Sequence, residues 1–169
     1  MKAGKIFLVG EGKNELVPMV ETQYAKEDVL QVMLEKYPDL LPGDQINPES
    51  PRRWLLVNRE VGIPAEKVGG DIWSIDHLFL DQDGIPTFVE CKRSSDTRSR
   101  REVVAQMLDY AANGTEYWAI ERLIQSTTET ATRNGKSLDE EIKRLLDVDD
   151  DNEIEGYWDL VENLSLIHI

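Results

Sequence analysis

The stretch SIDHLFLDQDGIPTFVECKR, residues 74–93, decides the fold, because it reads as two β-strands joined by a short turn. Runs rich in apolar and β-branched residues lie on both sides of the run DQDG at 81–84, whose glycine and length are typical of a hairpin. One strand carries Asp76, and the second ends in Glu90 and Lys92. We therefore expect an antiparallel hairpin with charged side chains near one end.

Short strands and amphipathic helices alternate outward from this hairpin. Leu30 and Leu34 lie on one helical stripe together with Glu27, an unusual place for a charge, and Pro38 ends that helix. We predict strands over residues 5–9, 16–22, 54–57, 72–80, 85–91 and 117–120, and helices over residues 25–37, 103–111, 137–146 and 157–164. The first helix is expected to turn Leu30, Met33, Leu34 and Tyr37 inward. The chain is accordingly expected to be an α/β protein.

Composition limits the class of protein. The 169 residues are 40% hydrophobic, which suits one globular domain, and the net charge of −14 argues against nonspecific coating of nucleic acid. Cys91 is the sole cysteine, so disulfides within the chain are excluded and a reducing cytoplasm fits best. No run approaches the roughly 20 apolar residues of a membrane helix, so no membrane partner is expected.

Three carboxylates and one amine are expected to converge at the end of the hairpin. Strand alternation turns Glu90 and Lys92 to one face and Cys91 to the other, while Asp76 comes from the neighbouring strand and Glu27 from the helix. Converging carboxylates repel one another unless a hard cation holds them. Mg²⁺ accepts one or two carboxylates together with phosphate oxygens and waters, so the natural ligand of such a site is a phosphate ester.

The pattern resembles the PD-(D/E)XK nuclease superfamily over roughly residues 25–120. The Glu-x-Lys signature matches Glu90 and Lys92, the strand-borne acid matches Asp76, and Gln106 and Tyr110 match the Gln-x-x-x-Tyr element of RecB-type nuclease domains. Ser74 and Ile75 stand before Asp76 in place of the family's proline. The resemblance implies a restriction-endonuclease-like α/β fold, with a mixed central sheet flanked by helices, and metal-dependent hydrolysis of DNA phosphodiesters.

The resemblance also implies a role for each matched residue. Asp76, Glu90 and Lys92 would be catalytic, and Mg²⁺, or Mn²⁺ in its place, would be held by Asp76, Glu90, the Cys91 carbonyl and, directly or through water, Glu27. Lys92 would orient the attacking water or balance developing negative charge. Gln106 and Tyr110 would face the site and the DNA backbone.

A local basic segment beside the motif supplies candidate DNA contacts. Residues 92–101 hold five cationic side chains against Asp96. Besides Lys92 they are Arg93, Arg98, Arg100 and Arg101. Arg52 and Arg53, with Trp54 as a base-stacking ring, form a weaker second candidate.

Alternative interpretations stay open at this point. Asp71 competes with Asp76 for the role of strand acid, and Glu27 also suits the first turn of a helix. Tyr110 also suits a helix core, and the arginines a solvated helix start. His77 and Cys91 are interpreted as non-catalytic, His77 as a satisfied or exposed side chain and Cys91 as a buried thiol.

Other functions and the domain limits are also expectations. A catalytically inactive nuclease-fold module that binds nucleic acid or protein is the main alternative, and an acidic region over residues 139–162 that recruits a basic partner is a weaker one. We divide the chain into an N-terminal β-hairpin extension (1–24), a nuclease-like domain (25–164) and a non-native or truncated end (165–169). DNA, a second copy of the chain, a protein partner or a missing C-terminal domain are the expected partners.

Overall fold

The structure is a computed structural model that describes residues 6–9, 16–20, 26–64, 71–92, 103–105, 107–108 and 119–167. Its strands are β1 (Phe7–Val9), β2 (Leu16–Pro18), β3 (Trp54–Pro64), β4 (Asp71–Asp81) and β5 (Pro86–Val89). Its helices are α1 (Glu27–Lys36), α2 (Gly43–Ile46), α3 (Ile120–Arg133), α4 (Leu138–Leu146) and α5 (Asn152–Ile167), with a 3₁₀ turn at Pro38–Leu40. Residues 103–105 and 107–108 are also helical. The chain is therefore a mixed α/β protein, as predicted.

The predicted central hairpin is confirmed. β4 pairs antiparallel with β5, with His77 opposite Val89, and β3 pairs antiparallel with β4 on its other side. The Asp81 carboxylate accepts the N–H groups of Asp83 and Ile85, both at 2.9 Å, and Gly84 takes a φ of +75° that favours glycine. These contacts close the turn and fix the register of the two strands. β5 ends at Val89, two residues before the predicted end.

Helices cover both faces of this three-stranded sheet. One face packs into a core with α3, α4 and α5 through buried aliphatic and aromatic side chains. They include Leu55, Leu78 and Leu80 from the sheet and Leu123, Ile142, Leu145, Tyr157 and Val161 from the helices. On the opposite face Trp54, Leu56 and Phe79 form a second cluster beside Leu41. The sheet is thus the middle of three layers.

Helix α1 is confirmed, but its predicted inward face is only half right. Leu34 is buried and Leu30 half-buried, whereas Met33 is 49% and Tyr37 64% exposed. The inward stripe follows residues 27, 30, 31 and 34, because the Gln31 carbonyl and side chain contact β4 and β3. Glu27 therefore lies half-buried on the side facing the sheet.

Two predictions beyond the hairpin need correction. The strand over residues 117–120 is wrong at Ile120, which begins α3, and residues 117–118 lie outside the described residues. The sheet is antiparallel throughout its described strands, so the expected mixed sheet is not seen there. The predicted helices at 137–146 and 157–164 are present as α4 and the longer α5. Within the described ranges, no helix has the length and apolar character needed to cross a bilayer.

Candidate active site

Asp76, the predicted strand acid, is held in position by the backbone that follows β5. The N–H of Cys91 donates a hydrogen bond of 2.6 Å to Oδ2 of Asp76. Since β5 ends at Val89, residues 90–92 have left the strand ladder and Cys91 is free to turn its N–H to this carboxylate. A carboxylate that accepts a backbone N–H makes a charge-assisted bond. The contact therefore holds Asp76 beside the Glu90–Lys92 segment.

Glu90 and Lys92 form an ion pair. Nζ of Lys92 lies 2.6 Å from Oε1 of Glu90, and the Glu90 side chain is only 6% exposed. The other oxygen, Oε2, is buried and has no hydrogen-bond partner among the described residues. Leaving a buried carboxylate oxygen unpaired costs free energy, so this atom offers an acceptor for a donor or a cation.

Three acidic side chains lie close enough to Lys92 and Cys91 to raise the pKa of both. Burial lowers the pKa of Lys92, but the hydrogen bond and charge of Glu90, with the charges of Asp76 and Glu27, outweigh it and raise that pKa. Burial raises the pKa of the Cys91 thiol to about 11, and the same three carboxylates add to the shift. The carboxylates of Glu27, Asp76 and Glu90 therefore lie near the same amine and the same thiol.

The donor set fits a hard divalent cation in its chemistry. Oxygen donors from Asp76 and Glu90, one of them an orphaned buried oxygen, match the one or two carboxylates that Mg²⁺ takes with water and phosphate. In the part of the chain that the structure describes, however, no three Asp, Glu, His or Cys side chains are grouped closely enough to hold a metal by themselves. The remaining ligands would have to be waters, backbone oxygens or substrate.

Asp76 fits the site better than its rival Asp71. Asp71 pairs with Pro64 at the beginning of β4, and five residues along a strand correspond to roughly 17 Å. The Cys91 N–H binds Asp76. Position therefore favours Asp76 as the strand acid.

The predicted base-stacking role of Trp54 in the second candidate DNA contact is wrong. Trp54 is 2% exposed, donates its indole N–H to the Leu41 carbonyl and packs edge-on against Phe79, so its ring cannot stack on a base. The Arg53 guanidinium donates to the Leu145 carbonyl. Trp54 therefore packs in the core, and Arg53 links the chain just before β3 to the end of α4.

His77 belongs to the core. It is fully buried, stacks on Phe79 and contacts the Gln31 carbonyl through Nε2 at 2.9 Å. The expectation of a non-catalytic histidine fits this environment, but the option of an exposed ring is wrong. The buried ring lies between α1 and β4 and contributes to the packing of this helix on the sheet.

Sequence reasoning missed two contributors to the site. The Cys91 N–H carries no side-chain signal, so no pattern could have identified it as the donor to Asp76. Arg59, whose guanidinium contacts Asp28, Gln31 and Glu35, ties α1 to β3 and so holds the helix that bears Glu27. The predicted strand ended at residue 57, whereas β3 continues to Pro64, so no strand pattern had marked Arg59.

The remaining predicted DNA contacts lie outside the described residues. They are Arg93, Arg98, Arg100, Arg101, Gln106 and Tyr110. The helical residues 103–105 and 107–108 flank Gln106 in the chain. Comparisons with protein-family models, characterised proteins and solved structures found no match to this chain.

Proposed function

We propose that this protein is a metal-dependent nuclease that hydrolyses DNA phosphodiester bonds. The observation that carries the proposal is the junction at the end of β5. There the Cys91 N–H holds Asp76 beside Glu90, and Glu90 keeps one buried oxygen without a partner among the described residues. The order α1, β3, β4, β5 and then helical residues also agrees with what the resemblance implies.

The site residues would divide the work as follows. Asp76 and Glu90 would hold Mg²⁺, which when bound polarises a phosphoryl oxygen and acidifies water. Lys92, now paired with Glu90, has a raised pKa and stays protonated, so it can balance negative charge on the phosphate but cannot take a proton from water. In the reaction a water oxygen bonds to phosphorus, the bond to the leaving sugar oxygen breaks, and one proton passes from the water to that oxygen.

Cleavage of labelled DNA tests the proposal. We expect wild-type protein to cut single- or double-stranded DNA with Mg²⁺ or Mn²⁺ and to stop when EDTA is added. Glu90→Gln and Lys92→Met should each reduce the rate at least a hundredfold. Glu49→Gln, at an exposed loop residue, is the matched control and should keep full activity. Equal rates for Glu90→Gln and wild type would refute the assignment.

A binding module without catalysis is the second candidate. It is favoured by the lack of a three-ligand metal group among the described residues and by the Lys92 ammonium, which already occupies one Glu90 oxygen. This candidate predicts DNA binding that neither Mg²⁺ nor Glu90→Gln changes, with no cleavage. Isothermal titration with Mg²⁺ separates the two, because the nuclease requires metal binding that Glu90→Gln weakens.

A further inference from the structure

The hairpin of β1 and β2 exposes apolar side chains on both of its faces. Within the described residues it forms a two-stranded sheet of its own, with Leu8 opposite Val17 and Val9 opposite Leu16. Seven apolar side chains of the two strands and of the Ile6–Met19 pair that continues them are at least 45% exposed. They are Ile6, Phe7, Leu8, Val9, Leu16, Val17 and Met19. Isolated two-stranded hairpins are only marginally stable in water, so this one needs further strands or a covering surface.

The two edges of the hairpin differ in what they can bind. Met19 donates its N–H to the Ile6 carbonyl at 2.9 Å, so Ile6 and, by alternation, Leu8 direct their backbone groups toward β2. Phe7 and Val9 therefore direct their N–H and C=O groups to the outer edge of β1. The outer edge of β2 includes Pro18, which has no N–H to donate. β1 is thus the edge that is able to accept another strand.

Charge and strand symmetry indicate what the partner is. The described hairpin residues carry no charge, whereas the whole chain carries −14, so two copies repel one another less here than at an average surface. Edge-to-edge pairing of two β1 strands places the exposed Phe7, Leu8 and Val9 beside the same side chains of the second copy, so apolar contacts form on both faces of the joined sheet. In a symmetric pair, the outward N–H groups of Phe7 and Val9 donate to the second copy and their C=O groups accept from it.

We propose that β1 pairs antiparallel with β1 of a second copy about a two-fold axis, which gives a four-stranded sheet in the order β2, β1, β1, β2. Phe7 and the partner's Val9 then exchange N–H···O bonds, and the axis repeats the exchange. The two Leu8 side chains lie directly opposite each other, at the closer spacing of a pair without hydrogen bonds. This interface is independent of the metal site.

Sedimentation equilibrium of the full chain tests the pairing. Wild type should show a mass that doubles as concentration rises. Leu8→Lys places two ammonium groups opposite each other and should stay monomeric, as should Val9→Pro, which removes an outward N–H but no bond to β2. Leu40→Lys is the matched control, since Leu40 is 53% exposed outside the hairpin and its replacement should leave the dimer intact.

A charge-swap mixture identifies the partner as a second copy. Leu8→Lys and Leu8→Glu should each be monomeric alone and should form a dimer when mixed, because opposite charges then meet across the axis. Unchanged thermal melts will show that both variants are folded. A monomeric wild type, a mixture that stays monomeric, or a wild type that instead co-sediments with phosphatidylcholine vesicles would overturn the proposal.

Discussion

His77 and Gln31 connect the helix that bears Glu27 to the strand that bears Asp76. Nε2 of His77 lies 2.9 Å from the Gln31 carbonyl oxygen, which can only accept, so this nitrogen carries the proton. Nδ1 is buried without a partner among the described residues. The neutral ring therefore pins α1 to β4 one residue away from Asp76.

Stability should fall in mild acid because of His77. Burial lowers its pKa below 6.5, and the nearby Arg59 adds to this, while the Gln31 carbonyl, Asp76 and Glu35 oppose it. A depressed folded-state pKa means that the unfolded chain binds the proton first, so stability is complete above about pH 6.5 and declines as pH falls below it. Urea unfolding between pH 8 and 5 measures the slope. In a His168→Gln background, His77→Phe should flatten it, and an unchanged slope would contradict this assignment.

The Tyr157 hydroxyl should contribute to stability through one buried hydrogen bond. It donates to the Asp81 carbonyl at 2.9 Å, and the Tyr157 side chain is fully enclosed. Tyr157→Phe removes one of two hydrogen bonds to this carbonyl, which also accepts the Gly84 N–H at 3.0 Å, and should reduce the free energy of unfolding by about 1 kcal/mol. Tyr37→Phe, at a residue 64% exposed, is the control and should change nothing measurable by urea unfolding. Equal stabilities of the two variants would show that the bond contributes nothing.

The fold was predictable where apolar runs flank a turn signal, and it was missed where polar residues are buried. Residues 74–91 show two runs of apolar and β-branched residues around a turn signal, so the β4–β5 hairpin follows from the sequence. Helix α3 does not, because its inward side contains Thr127 and Thr130, both buried. The Thr127 hydroxyl donates to the Leu123 carbonyl one turn earlier in the helix, and the Thr130 hydroxyl donates to the Val57 carbonyl of β3. The second bond cannot be inferred before the sheet is placed.

The positions of the acidic residues proposed for the candidate site follow from the sequence, but the contacts around them do not. The sequence predicts that Glu90 and Lys92 lie together, and they do, but in the segment after β5 has ended and so not through strand alternation. The helical stripe already places Glu27 on the inward side. The environment of Trp54 was not predictable, because a tryptophan after two arginines suits an exposed contact as well as a core. Only the packing of Leu41 and Phe79 around the ring decides for the core.

Asp76 should stabilise the fold as well as the site. Its carboxylate is the acceptor for the N–H of Cys91, a residue 3% exposed. Asp76→Ala leaves this N–H unsatisfied and should cost about 1–3 kcal/mol in the free energy of unfolding, whereas Asp76→Asn retains an acceptor oxygen and should cost less. Urea unfolding without metal distinguishes them. If both variants were as stable as wild type, the hydrogen bond would have no structural role.

Cys91 provides a probe of the three carboxylates that does not depend on metal or DNA. Because burial and the charges of Asp76, Glu90 and Glu27 raise the pKa of its thiol to about 11, the native protein should react very slowly with a disulfide reagent at neutral pH and rapidly in urea. The rate at which iodoacetamide alkylates the folded protein, measured through an alkaline titration, gives the midpoint, because only the thiolate reacts. Glu27→Gln should move this midpoint downward, since one negative charge is removed from the neighbourhood of the sulfur. Glu49→Gln serves as the control and should leave it in place. A midpoint that Glu27→Gln does not change would mean that this carboxylate is too far from the thiol to join Asp76 and Glu90 at the site.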